Sequence, residues 1–397
     1  ENIKFEPINQ KYFSHNLLND FHFIAINGEE ENIIFKEIIN WEIIKIFPLN
    51  WENNKFYKRV FNKEFSKKIM LYMIKDPKPV YENNYSIYSS KFINKKFKEI
   101  SNNISYDARS FYMTSNPREF LEKFLMIFGF KSLKLLDIDN LKLIKLKPLS
   151  EPIGTLGWES FSEFISFANI SCNWIVIRNF EFLPFNFFEN DKDIDILCSN
   201  QDIFIDKLNL KKRSWGISAY QVKIEGKEVP VDLRFLGDGY FDKLWEYNLL
   251  ENKIYQNQLV PRPNDCDYFY TLLYHCKLQK EIIKKNYYEI LNNLSIKLDL
   301  EHVHKSFIND DFKSSEILAN FLNINKYNIS KPIDKNVKFN QKFYIKLIKY
   351  IKKISIPKPP LIIRLLILIP LPLRKILIKL KNFLKVFVKT KIFFKTY

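Results

Sequence analysis

Asn190-Asp191-Lys192-Asp193-Ile194-Asp195-Ile196-Leu197 places two carboxylates, Asp193 and Asp195, one residue apart in an apolar run. Side chains alternate across a strand with period two, so Asp193 and Asp195 share one face and Ile194 and Ile196 the other. A second run, Val229-Pro230-Val231-Asp232-Leu233-Arg234-Phe235, brings another acid 39 residues after Asp193. A strand carrying Asp232 beside the first completes a cluster of three acidic oxygen donors. Such a cluster suits Mg²⁺ (or Mn²⁺), a hard ion held by a few carboxylates together with substrate phosphates. An acid on an apolar strand is costly without a cation or a donor beside it. The chemistry indicated is transfer of a phosphorus-containing group.

The flanking segments supply the frame. Trp174-Ile175-Val176-Ile177 reads as an apolar strand, preceded by a helix over residues 158–168. Residues 201–208 read as a helix, and residues 218–224 and 229–235 as a hairpin closed near Glu225-Gly226-Lys227. Together these make an α/β unit over residues 151–240. Residues 1–150 form an N-terminal α/β domain with strands at Phe21-His22-Phe23-Ile24-Ala25-Ile26 and Lys68-Ile69-Met70-Leu71-Tyr72-Met73-Ile74. In Ser115-Asn116-Pro117-Arg118-Glu119, Asn116 can cap a helix, Pro117 suits its first position, and Glu119 follows three residues after the cap. That helix ends near Gly129, and Lys147-Pro148-Leu149-Ser150-Glu151-Pro152 reads as a linker. Residues 241–330 are mainly helical, with residues 265–279 and 287–298 the clearest segments. The fold class expected is mixed α/β (α+β), with helices flanking a mixed sheet and a cationic helical tail over residues 331–397.

The formal charge of +17 is not spread over the chain. Residues 331–397 hold 18 Lys and Arg against one acid, Asp334, leaving 44 residues of each sign in 1–330. A basic stripe across the body, the footprint of nucleic-acid binding, is therefore not indicated. Lys338, Lys342, Lys346, Lys349 and Lys353 recur at helical spacing opposite Phe343, Leu347, Ile348 and Ile351. A second cationic helix from Lys375 sets Ile376, Leu377, Leu380, Phe383, Leu384 and Phe387 against Lys379, Lys381, Lys385 and Lys389. Residues 361–373 are apolar but interrupted by proline, carry Arg364 and are too short to span a bilayer. Cationic amphipathic helices lie in the membrane interface and are drawn to anionic lipid; the alternative is a tail helix packed on the protein. Cys172, Cys198, Cys266 and Cys276 form no CxxC pair, which fits a reducing compartment. With no secretory segment at its start, the chain is expected to be cytoplasmic and peripheral on the inner face of the cell membrane.

An apolar strand and turn, a strand bearing Asp-x-Asp and a later strand bearing one Asp give residues 174–235 their order. In that order and spacing the stretch resembles the minimal nucleotidyltransferase family. The resemblance implies a nucleotidyltransferase-like mixed sheet, Asp193 and Asp195 as metal ligands, and Asp232 as the third carboxylate, near the attacking hydroxyl. Metal ions in such a site neutralise charge on the transferred phosphorus and lower the pKa of that hydroxyl. The family has a Gly-Ser or Gly-Gly turn before the acidic strand, where backbone amides hold nucleotide phosphates; this chain has Arg178-Asn179-Phe180. Arg178, with Asn179 beside it, offers a two-point phosphate grip in place of amides. The departure equally suits a donor other than an ordinary nucleoside triphosphate, or a site without activity.

Asp265-Cys266-Asp267-Tyr268-Phe269-Tyr270-Thr271-Leu272-Leu273-Tyr274-His275 resembles a helical region that follows the catalytic domain in nucleotidyltransferase-like proteins of bacterial surface-polysaccharide clusters. Phe269, Leu272 and Leu273 are expected in its core and His275 as a bystander, while His302 and His304 are expected at the surface. Residues 109–128 faintly resemble nucleoside-diphosphate kinases, with Tyr112 where that family has its phosphate-accepting His. Phosphohistidine chemistry is therefore not supported. Arg109, Ser115 and Asn116 offer phosphate recognition as an alternative to plain helix capping.

These resemblances imply a Mg²⁺-dependent transferase in surface-polysaccharide (capsule) synthesis, with a nucleotide or nucleotide-activated donor and a sugar, polyol or glycan acceptor. It would move a nucleotidyl group to a sugar or polyol phosphate, or a phospho-alcohol group to a glycan as in the fukutin and choline-phosphate transferase branch. Asp232 would orient or deprotonate the acceptor hydroxyl, and residues 331–397 would meet an anionic membrane surface. Two alternatives stay open. One is a non-catalytic, tethered scaffold with degenerate nucleotide-binding domains; the other is a nucleic-acid-modifying nucleotidyltransferase.

Overall fold

Apolar segments of the first 113 residues pair into an antiparallel sheet of order β2-β3-β1-β6. Its strands are β1 (Phe21–Asn27), β2 (Glu42–Leu49), β3 (Ile69–Lys75) and β6 (Phe111–Met113), with a separate hairpin of β4 (Tyr81–Asn84) and β5 (Ile87–Ser90). The computed structural model describes residues 21–27, 42–65, 68–76, 81–84, 87–90, 111–135, 145–190, 193–214, 216–280, 284–300 and 307–351. Two helices accompany the sheet, α1 (Asn54–Phe61) and α2 (Pro117–Phe128). Phe120, Phe124 and Phe128 recur at helical spacing along α2, and Phe120 stacks on Phe23 of β1 with ring centroids 4.5 Å apart. The start of α2 is a capping box: Asn116 Oδ1 accepts from the Glu119 amide at 2.8 Å, and Glu119 Oε2 accepts from the Ser115 amide at 2.7 Å. Ser115 and Asn116 are thus used in capping.

The second sheet follows α3 (Phe161–Ser171) and runs β7-β8-β11-β10-β9. Its strands are β7 (Trp174–Arg178), β8 (Ile194–Cys198), β9 (Lys211–Lys212), β10 (Ala219–Ile224) and β11 (Lys227–Phe235), with α4 (Phe187–Asn190) before β8 and α5 (Gln201–Leu208) after it. Strands β8 and β11 are parallel and the other neighbours antiparallel, so the sheet is mixed. Glu225 and Gly226 close the β10–β11 hairpin with φ of 52° and 77°, the positive values a tight primed turn needs. Helix α3 begins later than its apolar pattern suggests. Ser160 and Glu163 form its capping box, while Trp158 is drawn into a bridge with Ile224.

Residues read as a linker lie along α2 instead of crossing open solvent. The Leu149 amide donates to Ile127 O at 2.7 Å and the Ile153 amide to Met126 O at 3.0 Å. Arg59 of α1 reaches the end of α5: Nε donates to Asp206 O at 3.1 Å and Nη2 to Lys207 O at 3.0 Å. Glu122 of α2 pairs with Lys123 and with Lys207 of α5, each at 2.7 Å. The described residues up to 350 group as one compact unit.

Beyond the second sheet lie α6 (Lys243–Glu251), a hairpin of β12 (Ile254–Gln256) and β13 (Val260–Arg262), and then α7 (Asp265–Leu278), α8 (Lys285–Lys297), α9 (Asp311–Asn325) and α10 (Gln341–Tyr350). Helix α10 belongs to the first cationic stretch of the tail and packs on α9 and α7. Its Phe343 and Leu347 are fully buried, each contributing roughly 1.5–3 kcal/mol, and Lys346 pairs with Asp311 at 2.8 Å. Phe343 and Leu347 are therefore core residues here, whereas Ile348 is 43% exposed. Arg109, Asp191, His302, His304, residues 361–373 and the second cationic helix lie outside the described residues. Among the described residues no helix is long and apolar enough to cross a membrane.

Candidate functional site

Strands β7 and β8 are buried along their whole length, and each carries a charged side chain among apolar neighbours: Arg178 and Asp195. Register sets these two opposite each other, with Asp232 of β11 on the far side of Asp195 and Ala219 of β10 beyond it. The result is a row across three strands: Arg178, Asp195, Asp232. Arg178 Nη2 donates to Asp195 Oδ1 at 2.5 Å and Nε to Oδ2 at 3.1 Å, a two-point pair. Burial pushes the Asp195 carboxyl up, Arg178 pulls it back, and Asp232 and Asp193 push it up again. The net shift is upward, with burial the largest cause, while the guanidinium on both oxygens favours the ionised form. Burial works against the Arg178 charge too, but Asp195 outweighs it and holds the pKa well above the ordinary arginine value.

The third carboxylate has a guanidinium of its own. Arg234, two residues after Asp232 and so on the same face, donates through Nη2 to Asp232 Oδ2 at 3.0 Å. Asp232 Oδ1 lies equally near that nitrogen but lacks hydrogen-bond geometry and is buried without a partner, as is Arg234 Nε. Arg234 Nη1 donates to Asp334 Oδ2 at 3.2 Å, and the Ser218 hydroxyl donates to the same oxygen at 2.8 Å. Asp334, the single acid of residues 331–397, is 6% exposed.

Tyr240 joins the two arginines. Its hydroxyl accepts from Arg178 Nη1 at 2.8 Å, and its ring lies under the Arg234 guanidinium, 4.5 Å from the centroid. The same hydroxyl is 2.9 Å from His275 Nδ1, and Gln279 Nε2 donates to Tyr240 O at 2.7 Å. Burial, with Arg178 adding, drives the His275 pKa well down, so the ring is neutral. Nδ1 also lies 3.2 Å from Gln279 Oε1, so the nitrogen either accepts from the Tyr240 hydroxyl or donates to Oε1, according to the tautomer of the neutral ring. Burial pushes the Tyr240 phenol up to about 12. His275, expected as a bystander, is two hydrogen bonds from Arg178.

Two buried carboxyls underlie the loop that presents Tyr240. Asp238 Oδ1 accepts from the Tyr240 amide at 2.8 Å; Glu246 accepts from the Gly237 and Phe241 amides at 2.6 and 3.1 Å. Burial lifts Glu246 to about 8, and neighbouring Asp238 adds to the shift.

Asp193 and Asn179 lie at the margins of the row. Asp193 is exposed immediately before β8, whereas Asp195 is buried within it. Asn179 adopts φ 57°, ψ 24°, a left-handed conformation that asparagine tolerates better than most residues, so the turn forms without glycine. Among the described residues no group of three or more His, Cys, Asp or Glu is gathered as a metal cage. The fit to a hard cation therefore rests on Asp232 Oδ1, a buried acceptor without a hydrogen-bond partner in a row of carboxylates. Each Asp195 oxygen accepts one hydrogen bond from Arg178 and keeps a second lone pair, so Asp195 can join beside the guanidinium or in exchange for it.

Comparison with protein-family models, with curated proteins and with solved structures finds no match. The sequence pattern gives no role to Arg234, Tyr240, Gln279 or Asp334, and it has His275 as a bystander. Arg234 had a signal, its period-two spacing from Asp232, and Asp334 had one in being the lone acid among 18 bases. Tyr240 and Gln279 had none.

Proposed function

We propose that the chain is a phosphorus-group transferase of nucleotidyltransferase type, moving a nucleotidyl or phospho-alcohol group to a sugar, polyol phosphate or glycan. The observation that carries this is the lateral row Arg178, Asp195, Asp232, which sets a phosphate-binding group beside two carboxylates on neighbouring strands. Opening a buried ion pair by removing one partner costs about 3–5 kcal/mol. Exchanging partners is far cheaper: a phosphate accepts Arg178 while a divalent cation takes Asp195, and neither charge is left alone. Mg²⁺ or Mn²⁺ would be held by Asp193, Asp195 and Asp232 and would supply charge neutralisation on the phosphorus. Arg178 grips phosphate oxygens, Tyr240 keeps its guanidinium aimed, and Asp232 orients or deprotonates the acceptor hydroxyl. The surface-polysaccharide setting, a cytoplasmic location and attachment of the cationic tail beyond α10 to an anionic inner membrane face belong to this proposal and rest on the resemblance and on tail composition.

A second possibility, a non-catalytic scaffold, draws on the same pair: both Asp195 oxygens already meet Arg178. A screen of nucleotide and nucleotide-sugar donors with Mg²⁺ and sugar, polyol-phosphate or glycan acceptors separates the two. Transfer seen by mass spectrometry and lost in Asp195→Asn supports the transferase; a chain that binds donors but never turns them over is the scaffold.

A further inference from the structure

Asp334 reaches the site from far along the chain, on a strap of residues 330–340. The strap is fixed to α7 at both ends. Tyr274 OH donates to Ser330 O at 3.3 Å, and Asn340 meets α7 through its amide to Leu278 O at 2.7 Å and Nδ2 to Lys277 O at 3.0 Å. Between these anchors the strap lies on the loop that presents Tyr240. The Ile333 amide donates to Asp238 O at 2.8 Å, and a Cβ on Gly239 would stand 2.6 Å from Lys331 O. Only glycine, here at φ +76°, lets the strap seat so closely.

At its centre, Asp334 Oδ2 accepts from Arg234 Nη1 and Ser218 Oγ, and Oδ1 accepts from the Asn336 amide at 3.0 Å. A guanidinium and a hydroxyl converging on one anionic oxygen is phosphate-recognition chemistry. The converging groups adjoin the carboxylate row, because Arg234 also pairs with Asp232. Arg234 still has an unused donor: Nε is buried with no acceptor, and buried donors are rarely left so. Two separate carboxylates serve this guanidinium, Asp334 at Nη1 and Asp232 at Nη2; a phosphate in place of Asp334 can meet Nη1 and Ser218 and still has oxygens left for further donors.

We propose that Arg234 and Ser218 form a phosphate-binding cradle which the chain itself occupies through Asp334, and that a phosphate-bearing ligand enters by displacing the strap. This deepens the transferase proposal and rests on it, naming Arg234 and Ser218 as a second phosphate subsite beside Arg178. One anion replaces another, so Arg234 is never left buried without a counter-charge. The strap is then a self-inhibitory contact, and the phosphate of the donor or acceptor is its competitor.

Pyrophosphate is the probe, titrated calorimetrically into the full chain at fixed ionic strength. Asp334→Asn is expected to bind it at least tenfold more tightly than the unaltered chain, and Asp334→Asn/Ser218→Ala to lose that gain. A gain that survives Ser218→Ala is a general charge effect and overturns the cradle. Equal or weaker binding by Asp334→Asn makes Asp334 a structural clasp and also overturns it. Should Asp334→Asn not fold, hydrogen exchange on the unaltered chain decides: the Ile333 and Asn336 amides are expected to exchange faster with saturating pyrophosphate, and unchanged rates contradict displacement. Pyrophosphate binding that needs Arg178 but ignores Asp334 keeps the transferase and sinks the strap, whereas no binding by any chain sinks both.

Discussion

Arg59 and Arg234 are both buried guanidiniums, and they are treated in opposite ways. Arg59, between α1 and the end of α5, uses Nε, Nη1 and Nη2 on Asp206 O, Thr155 Oγ1, Ile153 O and Lys207 O at 2.7–3.1 Å. None of these acceptors is a carboxylate, and none can leave without unfolding the joint. Arg234 sits between two carboxylates, Asp232 and Asp334, with one donor unused. A structural arginine is saturated by backbone. An arginine kept for a ligand is held by anions that can be exchanged. Arg178 follows Arg234 in this respect, with Asp195 and a tyrosine hydroxyl as its partners.

The two kinds of arginine are expected to respond differently to substitution. Arg178→Met leaves Asp195 buried and unpaired, a loss of about 3–5 kcal/mol in urea unfolding. Adding Asp195→Asn is expected to restore most of it; a double variant no better than the single would mean that the pair is not coupled. Arg59→Met is expected to cost about 3 kcal/mol through orphaned carbonyls, with no rescue from Asp206→Asn because Arg59 meets the Asp206 carbonyl and not its carboxylate. Mg²⁺ or phosphate binding by the folded Arg59→Met chain should be unchanged.

The loop beside the site arginines also carries a pH dependence, for which the backbone acceptors of Arg59 offer no source. Burial raises the Glu246 pKa from 4.5 to about 8, so folding favours its protonated form. That contribution is complete below about pH 4.5 and is lost as pH rises through about 8. At about 1.4 kcal/mol per pKa unit the loss is at most about 5 kcal/mol. Glu246→Gln should flatten the unfolding free energy across this window; an unchanged slope would exclude Glu246 as its source. The smallest effect is expected at the Lys131–Glu159 pair, 79% and 67% exposed, where Lys131→Ala should shift stability by no more than about 0.5 kcal/mol.

Much of the second sheet was legible because apolar runs and turn residues are local signals. Residues 201–208 form their helix at the expected limits, and the hairpin turns at Glu225-Gly226. The start of α3 was misplaced because Trp158 has apolar character without belonging to the helix; Ser160 and Glu163 hold the true start. The two acid-bearing runs were legible as strands, but it is the parallel register of β8 and β11 that sets Asp195 opposite Asp232. Sequence could not say that both Asp195 oxygens would be taken by Arg178, since that depends on the register that sets a residue 17 positions earlier opposite Asp195 on β7. Tyr240 comes from an irregular loop, His275 from a helix 35 residues further on, and Asp334 from 100 residues beyond Arg234. No periodicity joins such positions. Residues 331–350 show the limit of composition: an excess of lysine suggested a lipid-facing tail, yet Phe343 and Leu347 are core and Asp334 is an internal counter-ion.

The central claim is that the row handles a phosphate and a cation together. The most direct test is calorimetric titration of the intact chain with Mg²⁺ in the presence of pyrophosphate, with Asp195→Asn in parallel. Saturable binding by the unaltered chain, weakened at least tenfold by Asp195→Asn, is the result expected; identical isotherms for the two chains, or no binding by either, would contradict it.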